Sequence, residues 1–151
     1  MRYSININTP IGNMIAIGDE THISSLNFSE SPLENIKYTD ALHLLEQELD
    51  LYFKKQLTIF KSKLVLEGTE FQNSVWQSLQ NIPYSETRSY KEIASEIQHP
   101  KSVRAVANAN SKNKILILIP CHRVIAHNGS LSGFAAGIKR KEWLLNHEKA
   151  F

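Results

Sequence analysis

Ser89-Tyr90-Lys91-Glu92-Ile93-Ala94-Ser95-Glu96-Ile97-Gln98-His99-Pro100-Lys101-Ser102-Val103-Arg104-Ala105-Val106-Ala107-Asn108-Ala109 reads as two short helices and the break between them. Ser89 followed by Glu92 has the capping-box spacing, in which hydroxyl and carboxylate satisfy orphan amides at a helix start. Ile93, Ala94 and Ile97 give that helix its apolar face. Pro100 restarts the chain as a first-turn proline, and Val103, Val106, Ala107 and Asn110 give the next helix its faces. Helices joined in this way form a helix-turn-helix pattern. The second is nearly all small residues, with Arg104 near its start. Small side chains suit a helix laid into a narrow groove, and equally one buried tightly against its own core.

Upstream, Gly68 marks a boundary, and Thr69-Glu70-Phe71-Gln72 repeats the capping-box spacing. The helix it opens buries Phe71, Val75, Trp76 and Leu79 and stops before Pro83, which has no N–H to donate. Before the boundary, Tyr3–Ile7, Met14–Ile17 and Ile23–Phe28 are β-like and bounded by turn residues, as in an antiparallel meander. Pro32 interrupts it. Ala41, Leu42, Leu45, Leu49, Tyr52 and Phe53 then recur at helical steps behind Asp40 as N-cap, and residues 54–67 form a connector with one more short strand. Downstream, an aliphatic strand Lys114–Ile119 ends in Pro120-Cys121-His122-Arg123-Val124-Ile125, and a loop with Gly129 and Gly133 leads to a last helix, Ile138–Glu148. The order predicts an α/β chain of two domains, 1–67 and 68–151.

The 151 residues are 42% hydrophobic and 21% charged, as in a globular protein rather than a disordered or fibrous one. A single cysteine excludes an intrachain disulfide and any multi-cysteine zinc or iron–sulfur site. The longest aliphatic run, Ile115–Ile119, is far short of the ~18 residues of a spanning helix, and the N-terminus lacks the apolar stretch of a signal peptide. A soluble, cytoplasmic protein is expected, with no membrane partner. Residues 1–67 carry six basic against nine acidic side chains, and 68–151 eleven against six. A basic half is what a polyanion partner would select, and also what a solvated surface can carry by chance. His22, His43, His99 and His127 have no metal-ligand spacing.

A lone thiol is commonly a small buried hydrophobe. Cys121, however, follows a proline at the end of a buried-type run and is followed by His122 and Arg123. That places a base and a cation in its own turn, and a reactive thiol needs such neighbours because the thiolate is the nucleophile. Glu148 stands at the end of the last helix, where the dipole disfavours a carboxylate. A histidine partner would compensate it.

Pro120-Cys121-His122-Arg123-Val124 resembles the active-site signature of the O6-alkylguanine-DNA alkyltransferases, the methylated-DNA–protein-cysteine methyltransferases. Gly68–Gln72 with Val75-Trp76, Ser89-Tyr90, Arg104-Ala105-Val106, Asn113, and Lys141–Leu145 with His147-Glu148 follow in family order. Residues 1–67 resemble the family more weakly, through Glu48-Leu49 and Tyr52-Phe53.

The resemblance implies a catalytically vestigial, ribonuclease H-like sheet-plus-helix domain at 1–67 and a mainly helical, winged-helix-like domain at 68–151. It implies a monomer that binds duplex DNA through the minor groove and turns an O6-alkylguanine out of the stack. The alkyl group then passes to Cys121 in a single turnover; O4-alkylthymine is left open as a second substrate. His122 would take the thiol proton through a water, Glu148 would orient His122, Tyr90 would protonate the departing guanine, and Asn113 would hold the active-site turn. The DNA contacts implied are Arg104, filling the space of the extruded nucleotide, with Ser89, Ala105, Ala109, Lys101 and Arg123, the last two as phosphate or structural contacts. Val124, Phe134, Ala135 and Trp76 would contact the base, with the backbone of 132–136, although the apolar helix face around Trp76 also reads as core. No cofactor is implied. The zinc bound by some relatives in the N-terminal domain is not expected, because residues 1–67 contain no cysteine.

Ala107, Ser111, Ala135 and Ala136 stand where relatives commonly have glycine, and Lys114 where proline is common. Extra methyl groups beside the alkyl pocket should narrow it. A lesion-binding relative that only flags damage would lack the cysteine, which is present. A winged-helix regulator would carry more base-reading polar side chains than Arg104, Asn108 and Asn110. A cysteine hydrolase would need an oxyanion hole, for which the sequence offers no specific support.

Overall fold

The alternating apolar residues of the first three strands put Ile5, Ile7, Met14, Ala16 and Leu26 out of solvent, and one helix covers them. The computed structural model describes residues 1–31, 37–131 and 134–149. The chain is mixed α/β and divides into two compact units, Met1–Leu66 and Glu67–Phe151.

In the first unit β1 (Tyr3–Thr9), β2 (Gly12–Gly18) and β3 (Ile23–Phe28) form an antiparallel sheet in sequence order. Asp19 shapes the second turn, its carboxylate accepting from the amides of Thr21 and His22 at 2.9 and 2.7 Å. Helix α1 (Asp40–Phe53) lays Leu42, Leu45, Leu49 and Tyr52 on the sheet. Its N-cap is Thr39 rather than Asp40: the Thr39 hydroxyl accepts from Leu42 N at 3.2 Å and donates to the Asp19 carbonyl at 2.8 Å. Asp40 instead occupies the first turn, where its charge suits the dipole. In the connector, Leu64 forms a single parallel bridge with Ile23. Buried Glu48 ties the connector down, accepting from Lys61 N, Ser62 N and Ser62 Oγ at 2.6–3.0 Å. Pro32 lies outside the described residues.

The second unit is helical around two very short strands. Helix α2 (Glu70–Leu79) opens with the full Thr69/Gln72 capping box. A Cβ at Gly68 would lie 2.6 Å from the Trp76 ring, so the residue before the cap has no room for a side chain. Phe71 is only half-buried, resting edge-on against His99, while Val75, Trp76 and Leu79 enter the core. Helix α3 (Tyr90–Glu96) opens with the Ser89/Glu92 box. It closes with Gln98 in the left-handed region (φ 64°), His99 N reaching back to Ala94 O and Gln98 N to Ser95 O. This is the Schellman arrangement, and it sets the break between the two helices. Pro100 does not start the next helix. It sits in the intervening turn, and α4 (Val103–Ser111) begins after Ser102.

Lys114–Ile119 is not a strand. The aliphatic run folds into a buried turn with Ile117 at φ 71° and Leu118 N bonded to Leu116 O at 2.8 Å, a γ-turn. A run of apolar residues is equally suited to a buried strand and to a buried turn, and tertiary context decides between them. After the single 3-10 turn Cys121–Arg123 come β5 (Val124–Ile125), the loop at Gly129, and α5 (Ile138–His147). β5 pairs in parallel with β4 (Arg88–Ser89), which leads directly into α3.

Candidate active site

Cys121 is presented by two consecutive tight turns. The first is centred on Ile117; in the second, Pro120 (φ −79°, ψ 64°) lets Cys121 N reach Ile119 O at 2.7 Å. Asn113, at the end of α4, spans the first turn. Its Nδ2 donates to Ile119 O at 2.7 Å, and its Oδ1 accepts from Ile115 N at 2.9 Å. Bonds at both ends hold the amide across the loop that delivers the thiol. The β4–β5 pair, Arg88 to Val124 and Ser89 to Ile125, brings the start of α3, and with it Tyr90, to the same place.

The thiol is buried, 2% exposed. Burial pushes it up to about 11, against the opposing effects of the Asn113 side chain and the Lys141 charge. The resting sulfur is therefore protonated at neutral pH. His122 is fully buried, and its Nε2 meets Glu148 Oε2 at 2.8 Å. Burial holds the imidazole below its ordinary value, although Glu148 opposes this. Burial would raise the Glu148 carboxyl, but hydrogen bonds and charge from His122 and Arg123 hold it well below the usual carboxylate range. An ionised acceptor on Nε2 fixes the neutral ring as the Nε2–H tautomer. Nδ1, which has no partner among the described protein groups, is then the basic nitrogen.

Arg123, expected as a phosphate or structural contact, is engaged within the protein. It is 6% exposed, with Nε and Nη2 on the two Glu148 oxygens at 2.7 and 3.0 Å and Nη1 on Ile82 O at 2.8 Å. The unfavourable position of Glu148 at the helix end is thus compensated by His122 and by a bidentate guanidinium together. Trp76 is packed in the core, 1% exposed, and its Nε1 donates to Ala109 O at 2.9 Å. Ala109 lies on the buried side of α4. The Ser89 hydroxyl is buried and engaged as the α3 cap. Lys101, Arg104 and Ala105 are exposed around the start of α4. Val124 and Phe134 are buried and Ala135 is exposed; Ser132 and Gly133, part of the expected base-reading loop, lie outside the described residues.

Sequence reasoning assigned no role to Lys141. Its ammonium is fully buried, donates to Val124 O at 2.5 Å and lies 5.9 Å from the Tyr90 ring centroid. Burial lowers it to about 8, a fall that the Cys121 charge partly opposes. The signal was available: Lys141, Leu144, Leu145 and Glu148 fall at the helical spacing of a buried stripe, so two charged residues occupy core positions. Tyr90 is 7% exposed, and its hydroxyl is raised by burial and by Cys121. Among the described residues no His, Cys, Asp and Glu side chains gather as metal ligands would, and no helix is long and apolar enough to cross a membrane.

Residues 70–150 match the family described as 6-O-methylguanine DNA methyltransferase, DNA binding domain, and residues 1–66 match its ribonuclease-like domain. The methylated-DNA–protein-cysteine methyltransferase of Methanosarcina acetivorans is 44% identical over 154 residues, covering 98% of each chain. The crystal structure of Mycobacterium tuberculosis O6-methylguanine methyltransferase superposes with a TM-score of 0.90 at 41% identity, over 99% of this chain and 94% of that one. The M. tuberculosis protein OGT in complex with DNA gives 0.88 at 42% identity, over 96% and 91%. With both units matched and its thiol held beside a carboxylate-bound histidine, the chain belongs to the 6-O-methylguanine DNA methyltransferase family, enzymes of direct-reversal DNA repair.

Proposed function

We propose that this chain removes the alkyl group from O6-alkylguanine in duplex DNA and keeps it, irreversibly, on Cys121. The observation that carries the reading is the buried Cys121 turn next to His122, whose Nε2 is held by Glu148 while Nδ1 stays basic. The exposed start of α4, with Arg104, Ala105 and Lys101, lies against the minor groove. Arg104 fills the gap left by the extruded nucleotide, which is unstacked at a cost of a few kcal/mol. The thiol proton passes to His122 Nδ1 through a water. The sulfur attacks the methyl carbon, the carbon–O6 bond breaks, and its electron pair stays with the guanine, which Tyr90 protonates. In net terms the thiol proton replaces the methyl group on guanine, and a thioether remains. No second thiol readily displaces a thioether, so each molecule acts once, as a monomer and without a cofactor.

The N-terminal unit is a ribonuclease H-like, catalytically vestigial scaffold, and the C-terminal unit is winged-helix-like. Val124, Phe134 and Ala135 line the place of the extruded base. Recognition of damage without transfer is the less favoured reading, because the thiol and its base are both in place. The test is loss of the methyl group from a duplex carrying one O6-methylguanine. The wild type should demethylate it. C121S should bind the lesion duplex and leave it methylated, and demethylation by C121S would overturn the assignment. R104A should weaken duplex binding.

A further inference from the structure

Asn110 lies on the side of α4 that carries Val106 and Ala109 into the core, and it is 1% exposed. Its Oδ1 has no partner among the described protein groups. A buried acceptor left unpaired is costly, and a leucine of nearly the same shape would fill the space without that cost. The nitrogen end of the amide, by contrast, is in use. Nδ2 donates to the Cys121 carbonyl at 3.4 Å, and with the amide turned the other way two oxygens would face each other. The Asn110 side chain also hydrogen-bonds the Tyr90 hydroxyl, and because Oδ1 takes no part, the donor is again Nδ2. The two N–H groups of one amide thus join the turn that carries the thiol to the first residue of α3, the helix that packs on α4.

From this juxtaposition we infer that Asn110 is the positioning residue of Tyr90, turning the phenol proton toward the departing guanine and holding the negative charge that then appears on the phenol oxygen. An N–H that donates to a phenol oxygen directs the phenol's own proton elsewhere. Burial and Cys121 both raise the Tyr90 hydroxyl and make it a weak acid, whereas the Asn110 hydrogen bond pulls it down. That bond strengthens as the proton leaves, because its acceptor becomes an anion, so it favours the transition state over the resting state. The electron pair of the broken carbon–O6 bond stays with the guanine, and Tyr90 gives the guanine a proton. The proton that His122 took from the thiol then returns through water to Tyr90, and no further reactant is consumed. Asn110 touches neither the alkyl carbon nor the transferred proton. This role rests on the proposed transfer to Cys121, with Tyr90 as its acid, and adds the group that readies that acid.

The test compares two reactions of the same sulfur in wild type, N110L, N110A, Y90F and Y90F/N110L. One is methyl transfer from an O6-methylguanine duplex, whose leaving guanine needs a proton. The other is alkylation of Cys121 by iodoacetamide, whose leaving iodide needs none. N110L leaves the Cys121 carbonyl its bond from Val124 N, so it should fold with thermal stability near that of wild type. It should slow methyl transfer at least about tenfold, a part of the roughly 10²–10⁴-fold that a positioned acid or base supplies. Alkylation by iodoacetamide should stay within a few-fold of wild type. On the Y90F background, which has no phenol proton to direct, N110L should cost little more. A folded N110L with wild-type transfer would overturn the inference. So would an equal loss in both reactions, which would place the effect in the thiol turn, or a further tenfold loss in Y90F/N110L. If N110L does not fold, N110A is read in the same way, and failure of both to fold would make Asn110 a core residue and also overturn it. A wild-type protein that transfers no methyl group would instead refute the reading beneath the inference, and the inference with it.

Discussion

Replacing Glu148 with glutamine is a near-isosteric change that strikes the most connected carboxylate of the site. Oε1 accepts from Arg123 Nε at 2.7 Å, and Oε2 accepts from His122 Nε2 at 2.8 Å and Arg123 Nη2 at 3.0 Å. Whichever way the new amide is turned, its nitrogen faces an N–H donor. At least one of these bonds becomes a repulsion, and the buried Arg123 guanidinium loses its counter-charge. Breaking a buried ion pair from one side costs about 3–5 kcal/mol, out of a total stability of roughly 5–15 kcal/mol for a small domain. At roughly 4–8 °C per kcal/mol for a unit of this size, E148Q should lower the melting temperature by more than about 10 °C. Loss of the group that fixes the His122 tautomer should also slow transfer by about 10²-fold or more at a temperature where the variant is folded. The double variant R123M/E148M separates the two effects. Removing both charges together should recover much of the stability, since paired burial is close to neutral against apolar isosteres, while transfer stays slow. Thermal unfolding by circular dichroism and single-turnover kinetics read these outcomes. An E148Q protein within 1 kcal/mol of wild type and within about threefold in rate would refute the reasoning.

Three further outcomes are expected. N113A leaves the Ile115 amide unpaired inside a buried turn and takes from the Ile119 carbonyl one of its two bonds, the other being to Cys121 N, so it should destabilise the protein by about 2–4 kcal/mol in urea and slow transfer. Lys141 titrates near 8 in the folded state and at 10.5 otherwise, so above pH 8 the unfolded chain holds more protons and stability should rise with pH, by at most about 1.4 kcal/mol up to pH 9. Above pH 9 the raised Cys121 thiol has the opposite sign, because the unfolded thiol ionises first; the rise should flatten there in wild type and continue in C121S. Ala135→Gly with Ala136→Gly should raise the transfer rate from O6-benzylguanine relative to O6-methylguanine, and an unchanged preference would remove the argument from the added methyl groups.

What could be read from the residues alone was local. The two capping boxes, at Thr69/Gln72 and Ser89/Glu92, lie within one turn of chain and appear in full. The three strands follow from alternation between turn residues, and α1 from its helical repeat, with only the cap displaced from Asp40 to Thr39. The misread features depend on contacts distant in sequence. Whether Ile115–Ile119 is strand or turn is decided by Asn113 reaching across it and by the core around it. The β4–β5 pair joins residues on either side of the helix-turn-helix and has no turn to announce it. The Schellman end of α3 is hidden because Gln98 takes the left-handed position where glycine is usual. Between a phosphate and a structural role for Arg123 the residues alone do not decide, because Glu148 lies 25 positions away in sequence. The chemistry was legible at Cys121 and His122 because they are adjacent; Lys141 was not, because its relation to the thiol exists only once α5 packs on the turn.

The most direct measurement is the intact mass of the protein after incubation with a duplex carrying one O6-methylguanine. A gain equal to one methylene is expected, mapping to Cys121 and saturating at one equivalent of lesion. An unchanged mass with lesion-selective binding retained, or a gain on any other residue, would contradict it.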